Sequence, residues 1–196
     1  MNEWIRKRAP REGAAVHDAR RRHFLKLGAL GGIAGLAPFA AEAKAAVNTV
    51  ERSLSFYNTH TGEQLSAVYC VGGAYIPEAL TEINRVLRDH RNNEICSMDP
   101  RLLDLLHDIK GTLGTREPFH VISGFRSQET NALLAGRGHG VAKHSLHLQG
   151  EAIDIRVPGR DLAQVRKAAT AMQGGGVGYY PRSDFVHVDV GRVRYW

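Results

Sequence analysis

The stretch Ser145-Leu146-His147-Leu148-Gln149-Gly150-Glu151-Ala152-Ile153-Asp154 sets an imidazole and a carboxylate on either side of small residues. Ala152 to Val157 alternates as a strand, so Ile153 and Ile155 share one face while Ala152, Asp154 and Arg156 share the other. Gly150 and Ala152 then leave His147 and Asp154 free to converge. A second strand, Phe185-Val186-His187-Val188-Asp189-Val190, places its valines on one face and His187 and Asp189 on the opposite one. A catalytic zinc takes three protein ligands from imidazoles and carboxylates and keeps a fourth position for water. His147, Asp154 and His187 are therefore the candidate ligands of one zinc ion. Singly, each has an ordinary reading: a strand histidine is hydrogen-bonded core, and a strand aspartate pairs with an arginine such as Arg156 or Arg126. The combination points to a metal. His60, His90, His107 and His120 fall in a turn, on helical faces or on an earlier strand, and His139 and His144 flank the motif without a strand partner.

These residues need a scaffold. Arg52 to Tyr69 alternates around Thr59-His60-Thr61-Gly62, the pattern of a hairpin with a glycine-containing turn. Pro77 opens a helix that runs through Val86 and Leu87. Asp99 caps another, in which Leu102, Leu103, Leu105, Leu106 and Ile109 form a buried stripe. Phe119 to Ile122 reads as a short strand ending at Ser123-Gly124-Phe125-Arg126-Ser127. A polar loop with Gly136, Gly138 and Gly140 leads to the first motif strand. Asp161 caps a helix to about Met172. Two closing strands, Gly176 to Tyr180 and Phe185 to Val190, are joined by a turn at Pro181-Arg182-Ser183-Asp184. The fold class expected is α+β, an N-terminal hairpin and helices packed on a mainly antiparallel sheet that carries the zinc site.

The 196 residues suffice for one domain, and their net charge of +6 is unevenly spread. Residues 1–45 hold nine Lys/Arg against four Asp/Glu, and the remainder seventeen against sixteen. The body is nearly neutral, so a nucleic-acid partner has no support. Arg20-Arg21-Arg22-His23-Phe24-Leu25-Lys26 precedes an apolar run from Leu27 to Phe39, then Ala41-Glu42-Ala43 and Ala43-Lys44-Ala45, either of which suits signal cleavage. The arginine pair, spacer and Phe-Leu-Lys resemble a twin-arginine export signal. The 13 apolar residues are too few for a permanent membrane anchor. The expected organisation is a signal peptide at 1–45, cleaved near Ala43–Ala46, and a zinc-bearing domain at 46–196. The twin-arginine translocase is then a transient partner, the periplasm the destination and a monomer the expected state. Cys70 and Cys96 would meet an oxidising compartment and form either a disulfide or two separate thiols.

His147-x-x-Gly150-x-Ala152-x-Asp154 followed by His187 resembles the zinc pattern of the D,D-carboxypeptidase/murein endopeptidase superfamily, peptidase family M15. Ser123-Gly124-Phe125-Arg126-Ser127 resembles its second signature, and Phe-Val-His-Val-Asp with a twin-arginine leader resembles the murein endopeptidase K group. The likeness spans roughly residues 50–196. It implies a zinc peptidase acting on the peptidoglycan stem peptides, on bonds involving diaminopimelate or D-amino acids. Arg126 is then the clamp for a substrate carboxylate or a developing oxyanion. Ser145 either binds substrate or shapes its loop. Many members place a glutamate three residues before the last ligand; Asp184 stands there, and Asp189 is its rival as general base or as a support of the ligands. The leading expectation is a zinc-dependent murein endopeptidase hydrolysing peptide cross-links; the alternatives are a D,D- or L,D-carboxypeptidase trimming stem peptides and a non-catalytic zinc-bearing wall module.

Overall fold

The computed structural model describes residues 50–136, 142 and 144–196. The export signal, its cleavage site, and Gly138, His139 and Gly140 lie outside the described residues. The chain opens with the expected hairpin, β1 (Glu51–Asn58) and β2 (Gln64–Val71), followed by a two-residue β3 (Ala74–Tyr75). Its inward positions bury Leu54, Phe56 and Tyr69. Helix α1 (Pro77–Val86) starts at its proline and buries Ala79, Ile83 and Val86. In α2 (Pro100–Leu113) the Asp99 carboxylate accepts from Arg101 N at 2.8 Å, and the leucine stripe with Ile109 is buried as its periodicity requires.

After β4 (Phe119–Ser123) comes α3 (Gln128–Gly136), where the sequence had suggested only a polar loop. Its start signal is present: Ser127 Oγ accepts from Thr130 N at 3.1 Å, an N-cap read beforehand as part of a loop motif. A short 3-10 helix (Leu146–Gln149) carries His147, which had been expected in open loop. Then follow β5 (Ala152–Arg156), α4 (Leu162–Met172), β6 (Gly176–Tyr180), β7 (Phe185–Asp189) and an unforeseen β8 (Arg194–Tyr195).

The strands form one sheet in the order β3-β2-β1-β4-β5-β7-β6-β8. Pairing is mainly antiparallel, but β1–β4 and β6–β8 run parallel, so the sheet is mixed. Ile153, Ile155, Val186 and Val188 join a contiguous core with the apolar stripes of α1, α2 and α4. Burial of each such side chain contributes about 1.5–3 kcal/mol, which holds β5 and β7 in register. That register sets Asp154 directly opposite His187 and Ala152 opposite Asp189. Between β4 and β5 the register shifts within Val121–Ser123, so Ser123 faces Asp154 and the next residues turn toward it. Cys70 and Cys96 are separate free thiols, the first buried. No helix among the described residues is long and apolar enough to cross a membrane.

Candidate active site

Strand alternation supplies the site. With Ile153, Ile155, Val186 and Val188 committed to the core, Asp154, His187 and Asp189 must emerge on the opposite face. The 3-10 helix delivers His147 beside them. It ends at Gly150, whose φ of +70° suits glycine, and whose missing side chain lets the Ser97 backbone pass close by.

His147 Nε2, Asp154 Oδ1 and His187 Nδ1 converge, and all three residues are buried. Asp154 Oδ1 lies 2.9 Å from His187 Nδ1 and 3.3 Å from His147 Nε2, and the two ring nitrogens are 3.2 Å apart. The far nitrogens fix the tautomers. His147 Nδ1 faces the Gly124 carbonyl oxygen at 2.7 Å, an atom that can only accept, so Nδ1 carries the hydrogen. His187 Nε2 faces Asp189 Oδ2 at 3.0 Å and carries its hydrogen for the same reason. In the neutral rings both inward nitrogens therefore present lone pairs, and the third atom is a carboxylate oxygen. Three acceptors packed together in a buried place need a cation or an added proton among them. The donor set, two imidazoles and one carboxylate with each imidazole oriented by an acceptor behind it, fits zinc.

Charge follows that arrangement. Burial pushes the Asp154 carboxyl up, but His147 and His187 outweigh it and hold the group well below the ordinary carboxylate range. Burial pushes His187 down, yet hydrogen bonds with Asp154 and Asp189 raise it above its ordinary value. A proton and a metal ion thus compete for the same position.

Asp189 is fully buried. Besides His187 it accepts from Gly176 N and Gly191 N, each at 2.9 Å, and from Arg194 Nη1 and Nη2 at 3.0 and 2.7 Å. Burial pushes its carboxyl up, and these donors together hold it well below the usual range. Its oxygens are spent on orienting His187. Asp184 stands elsewhere: it lies in the turn before β7, is exposed, and pairs with Arg156 at 2.7 Å. It is not among the residues lining the cleft.

The cleft over the three ligand atoms has a volume of about 320 Å³. Arg126, Ser145 and His144 lie on its wall, as do Tyr180, Phe185, Arg194 and Trp196. Arg126 is buried, and among the described residues its side chain makes only long contacts: 3.5 Å to Asn131 Oδ1, 3.4 Å to Ser123 Oγ and 3.5 Å to Asp154 Oδ2. Its Nε is buried without a partner among the described residues. Burial pushes the guanidinium down from its ordinary pKa, and Asp154 opposes that shift. A five-donor fork this poorly satisfied is ready for a carboxylate ligand. Ser145 precedes the 3-10 helix without capping it through its side chain.

The loop bearing Arg126 is held by a residue that sequence reasoning passed over. Asp89, buried after α1, accepts from Ser127 N at 2.9 Å and Ser127 Oγ at 2.8 Å. Phe125 N donates to Leu87 O at 2.8 Å, and Arg126 N to His147 O at 3.1 Å. The only sequence signal for this support was an aspartate shortly after a helix, which is common for local reasons alone. Arg194 and Trp196 were likewise not foreseen, because β8 is too short to leave a pattern; Tyr180 and Phe185 were placed at strand ends but not at the site.

Comparison with known proteins shows the chain's family. The profile of the family described as "Peptidoglycan L,D-endopeptidase MepK" matches residues 45–196. The peptidoglycan L,D-endopeptidase MepK of Escherichia coli (strain K12) is 49% identical over 181 residues, 91% of this chain and 98% of that protein. The probable peptidoglycan L,D-endopeptidase MepK of Haemophilus influenzae is 41% identical over 182 residues, 91% of this chain and 96% of that one. A solved structure, the Serratia marcescens L-Ala D-Glu endopeptidase ChiX, aligns with 48% of this chain and 68% of its own at 21% identity and a TM-score of 0.34, too slight a likeness to carry argument. The first two relatives are matched almost end to end, and the family profile covers every described residue, so the chain belongs to the peptidoglycan L,D-endopeptidase MepK family of M15 peptidases.

Proposed function

We propose that the chain is an exported, zinc-dependent peptidoglycan endopeptidase that hydrolyses peptide cross-links at an L,D bond involving diaminopimelate. The observation that carries this reading is the convergence of three acceptor atoms, from His147, Asp154 and His187, beside the poorly satisfied guanidinium of Arg126. The names of the relatives support the choice of an L,D bond over a D,D bond. A zinc ion held by those three residues would polarise the scissile carbonyl and lower the pKa of water at neutral pH.

The chain's own groups divide the remaining work. Arg126 anchors a substrate carboxylate through Nε and Nη, fixing the peptide across the ligand cluster. Ser145 offers its hydroxyl to the same peptide. Asp189 holds the His187 tautomer, and its saturation by four partners leaves no lone pair suited to take a proton from water. Asp184 contributes a surface ion pair. The described cleft wall offers one further imidazole, His144, as the proton acceptor. A single cleft with a cationic anchor also suits a carboxypeptidase trimming the terminal residue, the second reading within this chemistry. The basic leader and its apolar run support export by the twin-arginine route to the periplasm, with the protein acting there as a monomer.

The test is digestion of defined cross-linked muropeptides with and without chelator, read by product mass. Splitting of the cross-link at the L,D bond, abolished by chelator and restored by one equivalent of zinc, is expected. Release of a single terminal residue would instead make the protein a carboxypeptidase. Unchanged peptides under zinc-replete conditions would refute the reading. In parallel, His144→Ala should lower kcat without loss of zinc, whereas full activity in that variant removes it as the base.

A further inference from the structure

On the cleft wall lies a group with no part in the chemistry above. Trp196 is held firmly. Its backbone extends the β6 edge, with Trp196 N donating to Val177 O at 3.2 Å and Tyr179 N to Trp196 O at 2.9 Å. The indole Nε1 donates to Tyr180 Oη at 2.7 Å. The ring rests over Gly178, where an added Cβ would come within 2.7–2.8 Å of Trp196 ring atoms. The Arg194 guanidinium lies 5.0 Å from the ring centroid, and its own nitrogens are tied to Asp189. Tyr180 stacks on Phe185 with centroids 4.6 Å apart. The indole is thus fixed from several sides, 5.3 Å from the His187 ring, and yet Trp196 as a residue remains 46% exposed.

A large apolar side chain this well fixed, on a partly exposed residue lining the cleft, is a ready contact surface. It loses little conformational freedom when something covers it. The occupant must run from the ligand cluster along the wall, since Trp196, His187, Asp154 and Arg126 line one cavity. Resting on the proposed function, we propose that Trp196, backed by Tyr180 and Phe185, is a specificity subsite for the aliphatic side chain of diaminopimelate in the substrate. Arg126 holds a carboxylate, and the indole takes the methylene arm. An alanine in place of diaminopimelate would leave the ring uncovered. Losing two buried methylenes costs roughly a tenfold drop in binding.

The sequence contains two tryptophans, Trp4 and Trp196. Full-length protein carrying Trp4→Phe therefore reports the subsite through the emission of Trp196 alone. Titration with a diaminopimelate-containing stem tetrapeptide should give a saturable change in emission. The same tetrapeptide with alanine at that position should bind roughly tenfold more weakly. On cross-linked muropeptides, Trp196→Ala should raise KM about tenfold with kcat within about threefold. Trp196→Phe should fall between, and zinc content should stay at one per chain. Equal affinity for the two tetrapeptides, or no emission change with either, would overturn the subsite. So would a fall in kcat that follows loss of zinc, which would make the indole a mere support for His187. Failure of the endopeptidase reading looks different: the unsubstituted protein would leave cross-links intact, while the emission titration would still decide whether Trp196 binds the diaminopimelate arm.

Discussion

His187 and Asp184 lie three residues apart in sequence and answer to different physics. His187 is locked in β7, opposite Asp154, with its neighbours Val186 and Val188 fully buried. Its direction is set by the sheet, and a ring aimed that way among other acceptors is placed to share a cation or a proton with them. Asp184 sits in the turn before the strand, with φ at +54° and its carboxylate on exposed Arg156. Its conformation is a local matter of turn geometry. Where the backbone ladder dictates orientation, a side chain can be committed to chemistry; where the turn dictates it, the same type of residue settles into a surface pair.

The largest break in this comparison comes from the strand. Asp154→Ala removes one of the three proposed ligands and leaves two lone pairs facing a gap. Loss of several kcal/mol of transition-state stabilisation corresponds to a fall in kcat/KM of roughly 10³-fold or more. Zinc content, measured by metal analysis after dialysis, should fall with it. Because protons compete for the same acceptors, zinc affinity of the unsubstituted protein should also weaken as pH falls. Retention of both zinc and turnover in Asp154→Ala would mean the strand face is not the metal centre.

Asp189 gives the next effect. Asp189→Asn keeps the shape but weakens the acceptor behind His187 Nε2 and leaves Arg194 without its carboxylate. A fall of about 10–100-fold in zinc affinity is expected, read by competition with a chromogenic chelator. At saturating zinc most of the turnover should return, whereas a general base would stay lost however much metal is added. The same titration therefore separates the two roles the sequence left open for this residue.

How much of this was legible beforehand divides along the same line. The candidate ligands His147, Asp154 and His187, whose acceptor atoms the fold brings together, stood out because a period of two converts directly into facing, and because small residues flank them. The hairpin, α1, α2 and α4 were readable from turn residues, prolines and apolar stripes. The mixed character of the sheet was not, since the parallel pairing of β1 with β4 is a contact between segments some sixty residues apart, such as Phe56 with Phe119. Helix α3 was hidden in a stretch whose capping serine also belonged to a motif. Asp89 and Trp196 were invisible because each acquires its place through partners distant in sequence or through a two-residue strand.

Asp89 also tests whether the loop bearing Arg126 depends on a nonlocal support. Asp89→Ala leaves the buried donors of Ser127 unsatisfied, at a cost of roughly 1–3 kcal/mol in stability. KM should rise as Arg126 loses its fixed position, while zinc affinity should hold. Burial pushes the Asp89 carboxyl up, but hydrogen bonds from Thr130, Arg91 and Ser127 outweigh that and lower it below its ordinary value. The unfolded chain therefore binds the proton more tightly. The stabilisation is complete above the ordinary carboxylate value of about 3.9 and is lost as pH falls through the lowered one. Urea titrations of both proteins should accordingly converge in strong acid. A constant gap across that range would assign the stability to packing alone.

The smallest effect belongs to Asp184, and there the comparison is most exposed to contradiction. An ion pair between side chains 62% and 40% exposed is worth about 0–1 kcal/mol. Asp184→Ala loses that pair and keeps a Cβ at positive φ; Asp184→Gly loses it but relaxes the backbone. The glycine variant should be the more stable of the two by about 1 kcal/mol in urea unfolding. Both should retain zinc and turn over cross-linked muropeptides within about twofold of the unsubstituted protein, as expected for a surface pair away from the cleft. A tenfold fall in kcat with zinc still bound, rescued by Asp184→Glu, would give the turn a chemical role after all. The orientation imposed by the sheet would then not be the sole route by which this sequence commits a carboxylate to the reaction.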